Sequence, residues 1–274
     1  MIRVDLHVHS TFSDGTCTPL EIVRAARARR VAVLALTDHD TLEGLDEFSR
    51  ECRAAGIRPV RGVELSASAP ITIHVLGYRI GDGSSLKKAL DWVIERRNAR
   101  NGEICGKLRD LGVGVNIEEV EVMAGGRVVG RPHIALWMVK NGFVPDTRAA
   151  FDRYLGKGAP AYVRREGLSP GDCVRVVRES GGLPVLAHPS LTGLDEAPLG
   201  ELLDELKEYG LWGLECISSH CSSEAAYRYL RTADRHGLFP TAGSDFHGAA
   251  RPDIALGVQV SEDFLPWARI GVNL

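Results

Sequence analysis

The chain opens Met1-Ile2-Arg3-Val4-Asp5-Leu6-His7-Val8-His9-Ser10, and the reading of this stretch governs the rest. A short apolar run delivers Asp5, His7 and His9 at alternate positions, and Asp14 follows five residues after His9. Side chains in a strand repeat with period two, so His7 and His9 share a face, about 7 Å apart along the backbone. Two imidazoles converging at the end of a buried strand are costly to desolvate unless something binds them, and a metal ion does so. Taken alone, the pair also fits two histidines satisfied by backbone hydrogen bonds.

Working outward, short apolar strands alternate with amphipathic helices. Strands are expected at 2–6, 31–36, 58–65 and 71–78, then at 183–187, 212–217 and 238–241. A helix at 18–30 is opened by Thr18 as N-cap, with Pro19 at its first position and Glu21 completing a capping box. Another is expected at 42–55, ended by Gly56. This βαβα rhythm implies a mostly parallel sheet with helices outside. It breaks between residues 81 and 169, which read as helices at 86–111, 117–123, 132–141 and 147–155. The expected organisation is a barrel built from 1–80 and 170–274, with 81–169 as an inserted helical subdomain that covers the site. Asp82-Gly83-Ser84-Ser85 is the candidate hinge into it.

The 274 residues are 44% apolar and carry a net charge of -3, which suits one large globular unit and gives no electrostatic footprint for duplex DNA. No apolar run approaches the ~18 residues needed to cross a bilayer, and no signal peptide is expected. Six cysteines lie scattered without a Cys-x-x-Cys pair, as in a cytoplasmic protein with reduced thiols. Cys216 and Cys221, flanking a strand end, read as small packing residues.

A ligand-type residue sits at strand end after strand end. His7 and His9 end the first, with Asp14 in the loop beyond, and Thr37-Asp38-His39-Asp40 ends the second. Glu64 ends the third and His74 lies in the fourth; His188 follows 185–187, and Asp245-Phe246-His247 follows 240–244. In parallel α/β proteins the carboxyl ends of strands face one crevice, so these nine residues should converge. Of nine histidines, six belong to the set, which lifts the metal reading well above the bland one. His74 alone would pass for a core histidine. Asp38 and Asp40 read as caps of the helix beginning near Thr41.

Asp5-Leu6-His7-Val8-His9-Ser10, Thr37-Asp38-His39-Asp40, Gly62-Val63-Glu64, His188-Pro189 and Ser244-Asp245-Phe246-His247 resemble the motifs of the PHP (polymerase and histidinol phosphatase) superfamily. The order holds from residue 1 to about 250, without departure at the nine ligand positions. Arg131-Pro132-His133 and the segment from Phe151 to Gly158 resemble the free-standing bacterial branch, whose members dephosphorylate nucleotides, including nucleoside 3',5'-bisphosphates, or trim short RNA from the 5' end. The resemblance implies a distorted (β/α)7 barrel holding three divalent ions. His7, His9, Glu64 and Asp245 would hold the first. Glu64, His74 and His188 would hold the second, and Asp14, His39 and His247 the third.

Three ions and three carboxylates leave roughly three uncompensated positive charges, which would attract a phosphomonoester dianion. They would also supply a bridging hydroxide for in-line attack, with no protein nucleophile. The mix of imidazole and carboxylate suits Mn, Fe or Zn. Weaker candidates surround this set. His220 is a candidate proton donor to the leaving oxygen. Arg131, at an unfavourable helix start, is a candidate phosphate ligand, as are His133 and Lys157. Arg96, Arg97 and Arg100 read as solvated helix surface. The leading function is a nucleotide phosphomonoesterase. Histidinol-phosphate phosphatase, a 5'-to-3' exonuclease on short RNA and a non-catalytic metal-stabilised domain are the alternatives.

Overall fold

The computed structural model describes residues 1–81, 84–125, 128–164 and 166–272; the hinge expected at Asp82 and Gly83 lies outside them. Its strands are β1 (Ile2–Asp5), β2 (Val31–Leu36), β3 (Arg58–Ser66), β4 (His74–Tyr78), β5 (Leu183–Leu186), β6 (Gly213–Ile217), β7 (Phe239–Ala242) and β8 (Val258–Val260). They form one sheet in the order β7-β6-β5-β4-β3-β2-β1-β8. The ring closes beyond the strand ends, where the Leu6 N–H donates to the Ala242 carbonyl at 3.1 Å and the Asp245 N–H to the His7 carbonyl at 2.9 Å. A parallel bridge between Val8 and Phe246 extends the seam. Seven strands thus make a nearly closed barrel, as the family resemblance implies. The short β8, which the sequence rhythm missed, pairs antiparallel with Ile2, Arg3 and Val4 of β1.

The barrel departs from the parallel expectation at one strand. β4 runs antiparallel to both β3 and β5. Its amino end, not its carboxyl end, therefore meets the crevice, and His74 is its first residue. A reversed strand leaves the chain at the wrong end of the barrel. The 27-residue helix α3 (Ser84–Asp110) brings it back, since a helix of that length spans about 40 Å.

Helices α1 (Pro19–Ala28) and α2 (Leu45–Ala54) precede α3. After it come α4 (Ile117–Ala124), α5 (Arg131–Lys140), α6 (Thr147–Ala150), α7 (Pro170–Glu179), α8 (Glu196–Tyr209) and α9 (Ser223–Arg235). The capping box at Thr18 and Glu21 is formed, as its residue types dictate. α2 starts three residues later than expected, because Gly44 takes a left-handed φ of +85° against the ring of Phe12. α3 belongs to two cores: Leu86 and Leu90 pack on barrel strands, whereas Ile104, Cys105 and Leu108 join an apolar cluster with α4, α5 and α6. Among the described residues no helix is long and apolar enough to cross a membrane, and all six cysteines are free thiols.

Candidate metal centre

All nine strand-end residues meet at one mouth of the barrel, arranged around Glu64. Its Oε2 lies 3.2 Å from His7 Nε2 and 3.1 Å from both His9 Nε2 and His39 Nδ1. Its Oε1 lies 2.8 Å from His74 Nδ1 and 3.0 Å from His188 Nε2. Asp245 Oδ1 sits 3.3 Å from His7 Nε2 and 3.1 Å from His9 Nε2. On the outer side, Asp14 approaches His247 Nε2 at 3.2 Å and His39 Nε2 at 3.9 Å. Among the described residues, three overlapping groups have ligand atoms close enough to share an ion: His7, His9, Glu64 and Asp245; His9, Asp14, His39 and His247; and His39, Glu64 and His74.

The donor atoms fit a metal. His7 Nε2, His9 Nε2, Glu64 Oε2 and Asp245 Oδ1 are buried, lack hydrogen-bond partners and face one another. Leaving such atoms unsatisfied costs about 1–3 kcal/mol each, more where charged. Donors about 2.1 Å from a common ion lie about 3.0–3.4 Å apart in octahedral or tetrahedral geometry, which matches these separations. Protons compete for the same atoms. Burial disfavours a charged His9, yet Asp245 and Glu64 outweigh it and hold the imidazole up to about 10. Burial dominates at His39 and pushes it down to about 3. Against burial, the surrounding histidines keep Glu64 and Asp245 well below the usual carboxylate range.

Several residues hold the ligands in place. Asp5 accepts the N–H and hydroxyl of Ser244 at 2.8 and 2.6 Å and the Gly257 N–H at 2.7 Å, pinning the seam that carries Asp245. Asp245 and His188 adopt left-handed φ values of +57° and +22°, strain of the kind that concentrates at functional sites. Asp38 and Asp40 are not helix caps: α2 has no side-chain cap. Asp38 instead accepts from the Ser10 N–H at 2.7 Å and from the hydroxyls of Ser10 and Ser13 at 2.6 and 2.5 Å, shaping the loop between His9 and Asp14. Asp40 accepts the Ser66 N–H at 3.0 Å and pairs with Arg97.

That pair overturns the reading of Arg97 and Arg100 as solvated surface. Both are largely buried and line a cavity of about 130 Å³ over the mouth, together with Asp14, His39, His74, Arg131 and His133. Arg96 alone is exposed, 3.6 Å from Glu166. The missed signal lies in α3, where the buried stripe Leu90, Val93, Asn101, Ile104 and Leu108 runs through Arg97 and Arg100 at helical spacing. Arg131 is stacked between Phe151 and Tyr162, with one nitrogen donating to the Leu155 carbonyl at 3.1 Å. His133 accepts the Gly130 N–H at Nδ1 and bonds the backbone of Ser13, so it ties α5 to the Asp14 loop. Lys157 donates to the Pro70 carbonyl at 3.3 Å and does not line this cavity. His220 reaches Asp245 Oδ2 at 2.6 Å, where Arg251 also donates at 2.5 Å. Neither Arg251 nor the buried Glu215 of β6 ends a strand, and strand-end reading passes over both.

Comparison with known proteins adds to this geometry. The PHP domain family matches residues 5–99. Over 250 residues the chain is 34% identical to the 3',5'-nucleoside bisphosphate phosphatase of Chromobacterium violaceum, covering 90% of this chain and 88% of that protein. The chain belongs to the PHP family. As a PHP protein it is a metal-dependent phosphoesterase, the class its motifs imply. It is also 33% identical over 247 residues to the 5'-3' exoribonuclease of Haemophilus influenzae, covering 89% of this chain and 90% of that one. An amidohydrolase from Chromobacterium violaceum, solved with bound sulfate and no metal, superposes with a TM-score of 0.90 at 32% identity. That superposition covers 98% of this PHP chain and 95% of the neighbour.

Proposed function

We propose that this PHP protein is a cytoplasmic phosphomonoesterase that removes one phosphate from a nucleotide such as a nucleoside 3',5'-bisphosphate, using three divalent ions (Mn, Fe or Zn). The observation that carries it is a cavity lined by Arg97, Arg100 and Arg131 together with Asp14, His39 and His74 of the centre. His7, His9, Glu64 and Asp245 would hold one ion, Glu64, His74 and His188 a second, and Asp14, His39 and His247 a third. Bound divalent ions would activate water near neutral pH and neutralise phosphate oxygens.

The chain's own groups do the rest. The three arginines attract and orient an anionic substrate, and the aromatic faces on Arg131 hold its guanidinium still for bidentate contact. His220, paired with the outer oxygen of Asp245, would hand a proton to a departing alkoxide. Residues of α3 and α5 line the cavity, and as part of the expected lid they would limit water around the reacting phosphate. Lys157 would serve the part of a substrate extending toward Pro70.

A second reading, a 5'-to-3' exonuclease on short RNA, is favoured by the 33% identity over 247 residues to the Haemophilus influenzae 5'-3' exoribonuclease. Turnover with Mn, measured as phosphate release from adenosine 3',5'-bisphosphate, AMP and histidinol phosphate and as mononucleotide release from a trinucleotide, tests both readings. Fastest release from the bisphosphate, abolished by a chelator, is the expected result. Preference for the trinucleotide establishes the second reading, and release from histidinol phosphate alone overturns both.

A further inference from the structure

Glu215 lies inside the barrel beneath the metal centre, in an otherwise apolar strand, and is 1% exposed. A carboxylate buried there costs several kcal/mol unless its charge is used. Both of its oxygens are engaged, and by residues of the centre. Oε1 lies 3.0 Å from His7 Nδ1, and Oε2 accepts the His188 N–H at 2.6 Å. The two histidines then reach opposite oxygens of one carboxylate: His7 Nε2 faces Glu64 Oε2 and His188 Nε2 faces Glu64 Oε1. Glu215, His7, Glu64 and His188 therefore close a ring of contacts linking β1, β3, β5 and β6.

Other ligands are backed differently. The Nδ1 of His9 has the Ser13 hydroxyl at 3.4 Å, and the Nδ1 of His247 has the Asp245 carbonyl at 2.8 Å. A carboxylate at hydrogen-bond distance behind an imidazole fixes the Nδ1–H tautomer and, through its full negative charge, raises the basicity of the far nitrogen. The N–H that Glu215 takes from His188 belongs to a residue strained at φ +22°, so the same carboxylate holds that backbone in its ligating conformation.

We propose that Glu215 is a positioning residue that sets His7 and His188 together, so that the sites on the two sides of Glu64 form as a unit. This rests on the metal-centre reading above. Chelated, dialysed protein is titrated with Co(II), following bound metal by mass spectrometry and the ligand field by visible absorption. Glu215→Gln keeps the shape and an acceptor for His188 but removes the charge. It is expected to weaken binding by about 10- to 100-fold, to lose ions on both sides of Glu64 in parallel and to shift the Co(II) bands. If Gln does not fold, Glu215→Asp keeps the charge, shortens the reach and should shift the bands likewise. Wild-type affinity and spectrum in the folded variant overturn the proposal while the metal reading stands. Failure of the wild type to bind Co(II) overturns both.

Discussion

Asp40 is buried at φ +53°, takes the Ser66 N–H and holds the guanidinium of Arg97, which is itself about 10% exposed. Removing the cation from such a pair costs on the order of 3 kcal/mol, because the carboxylate beside it stays out of water. Arg97→Met is therefore expected to lower the thermal midpoint and raise KM for the nucleotide while leaving metal content unchanged. Adding Asp40→Asn should restore most of the stability and none of the binding. A double-mutant cycle on melting and kinetics checks this, and recovery of KM in the double variant would show that Arg97 acts only on the fold. The sequence could not display this pairing, since 57 positions separate the partners. What it did display was residue type at strand ends, and that was enough to predict that nine such residues converge on one mouth of the barrel.

The closing seam between β1 and β7 works only because Gly243 has no side chain. A Cβ there would stand 2.4 Å from the His7 Cβ and 2.6 Å from the His7 backbone nitrogen. Backbone cannot yield as a flexible side-chain tip can, so Gly243→Ala should push His7 away from Glu64. Melting is expected to fall by several degrees or more, with metal content dropping in proportion, measured on chelator-free purified protein. An alanine variant that keeps both would mean the seam is looser than its contacts imply. At this scale the apolar strands and α1 with its capping box were legible, because burial and capping are local demands on residue type. The reversal of β4 was not. A five-residue apolar strand reads the same in either direction, and its sense was set by pairing with β3 and β5. Nor was the start of α2, where Gly44 yields to the ring of Phe12.

Across the whole molecule the centre is a concentration of charge. Glu215, Asp5 and Asp38 add buried carboxylates to Asp14, Glu64 and Asp245, so the positive surplus of the three proposed ions would be smaller than the ligand carboxylates alone suggest. Protons take up part of this negative charge when no metal does. His9 is held up to about 10, above its ordinary value near 6.5, so it carries a proton at pH 7 in metal-free protein. Metal binding must expel that proton, and affinity should rise with pH until about 10 is passed. Calorimetry of Mn binding in buffers of different ionisation enthalpy is expected to show at least one proton released per protein at pH 7. A buffer-independent enthalpy would contradict it. Chelation should likewise lower the melting temperature, because an ion that binds only the folded chain stabilises it by mass action.

The sequence by itself determined the chemistry available here: which residues could ligate a metal, that they stand where strands end, and that strands and helices alternate around them. These follow from period, burial and residue type, each readable within a few positions. Tertiary structure alone decided the direction of β4, the return of the chain along α3, and the delivery of Arg97 and Arg100 to the mouth of the barrel. It also set Glu215 against His7 and His188 at once. Such facts depend on which distant segments pack together, and packing of that kind leaves no periodic trace in the chain.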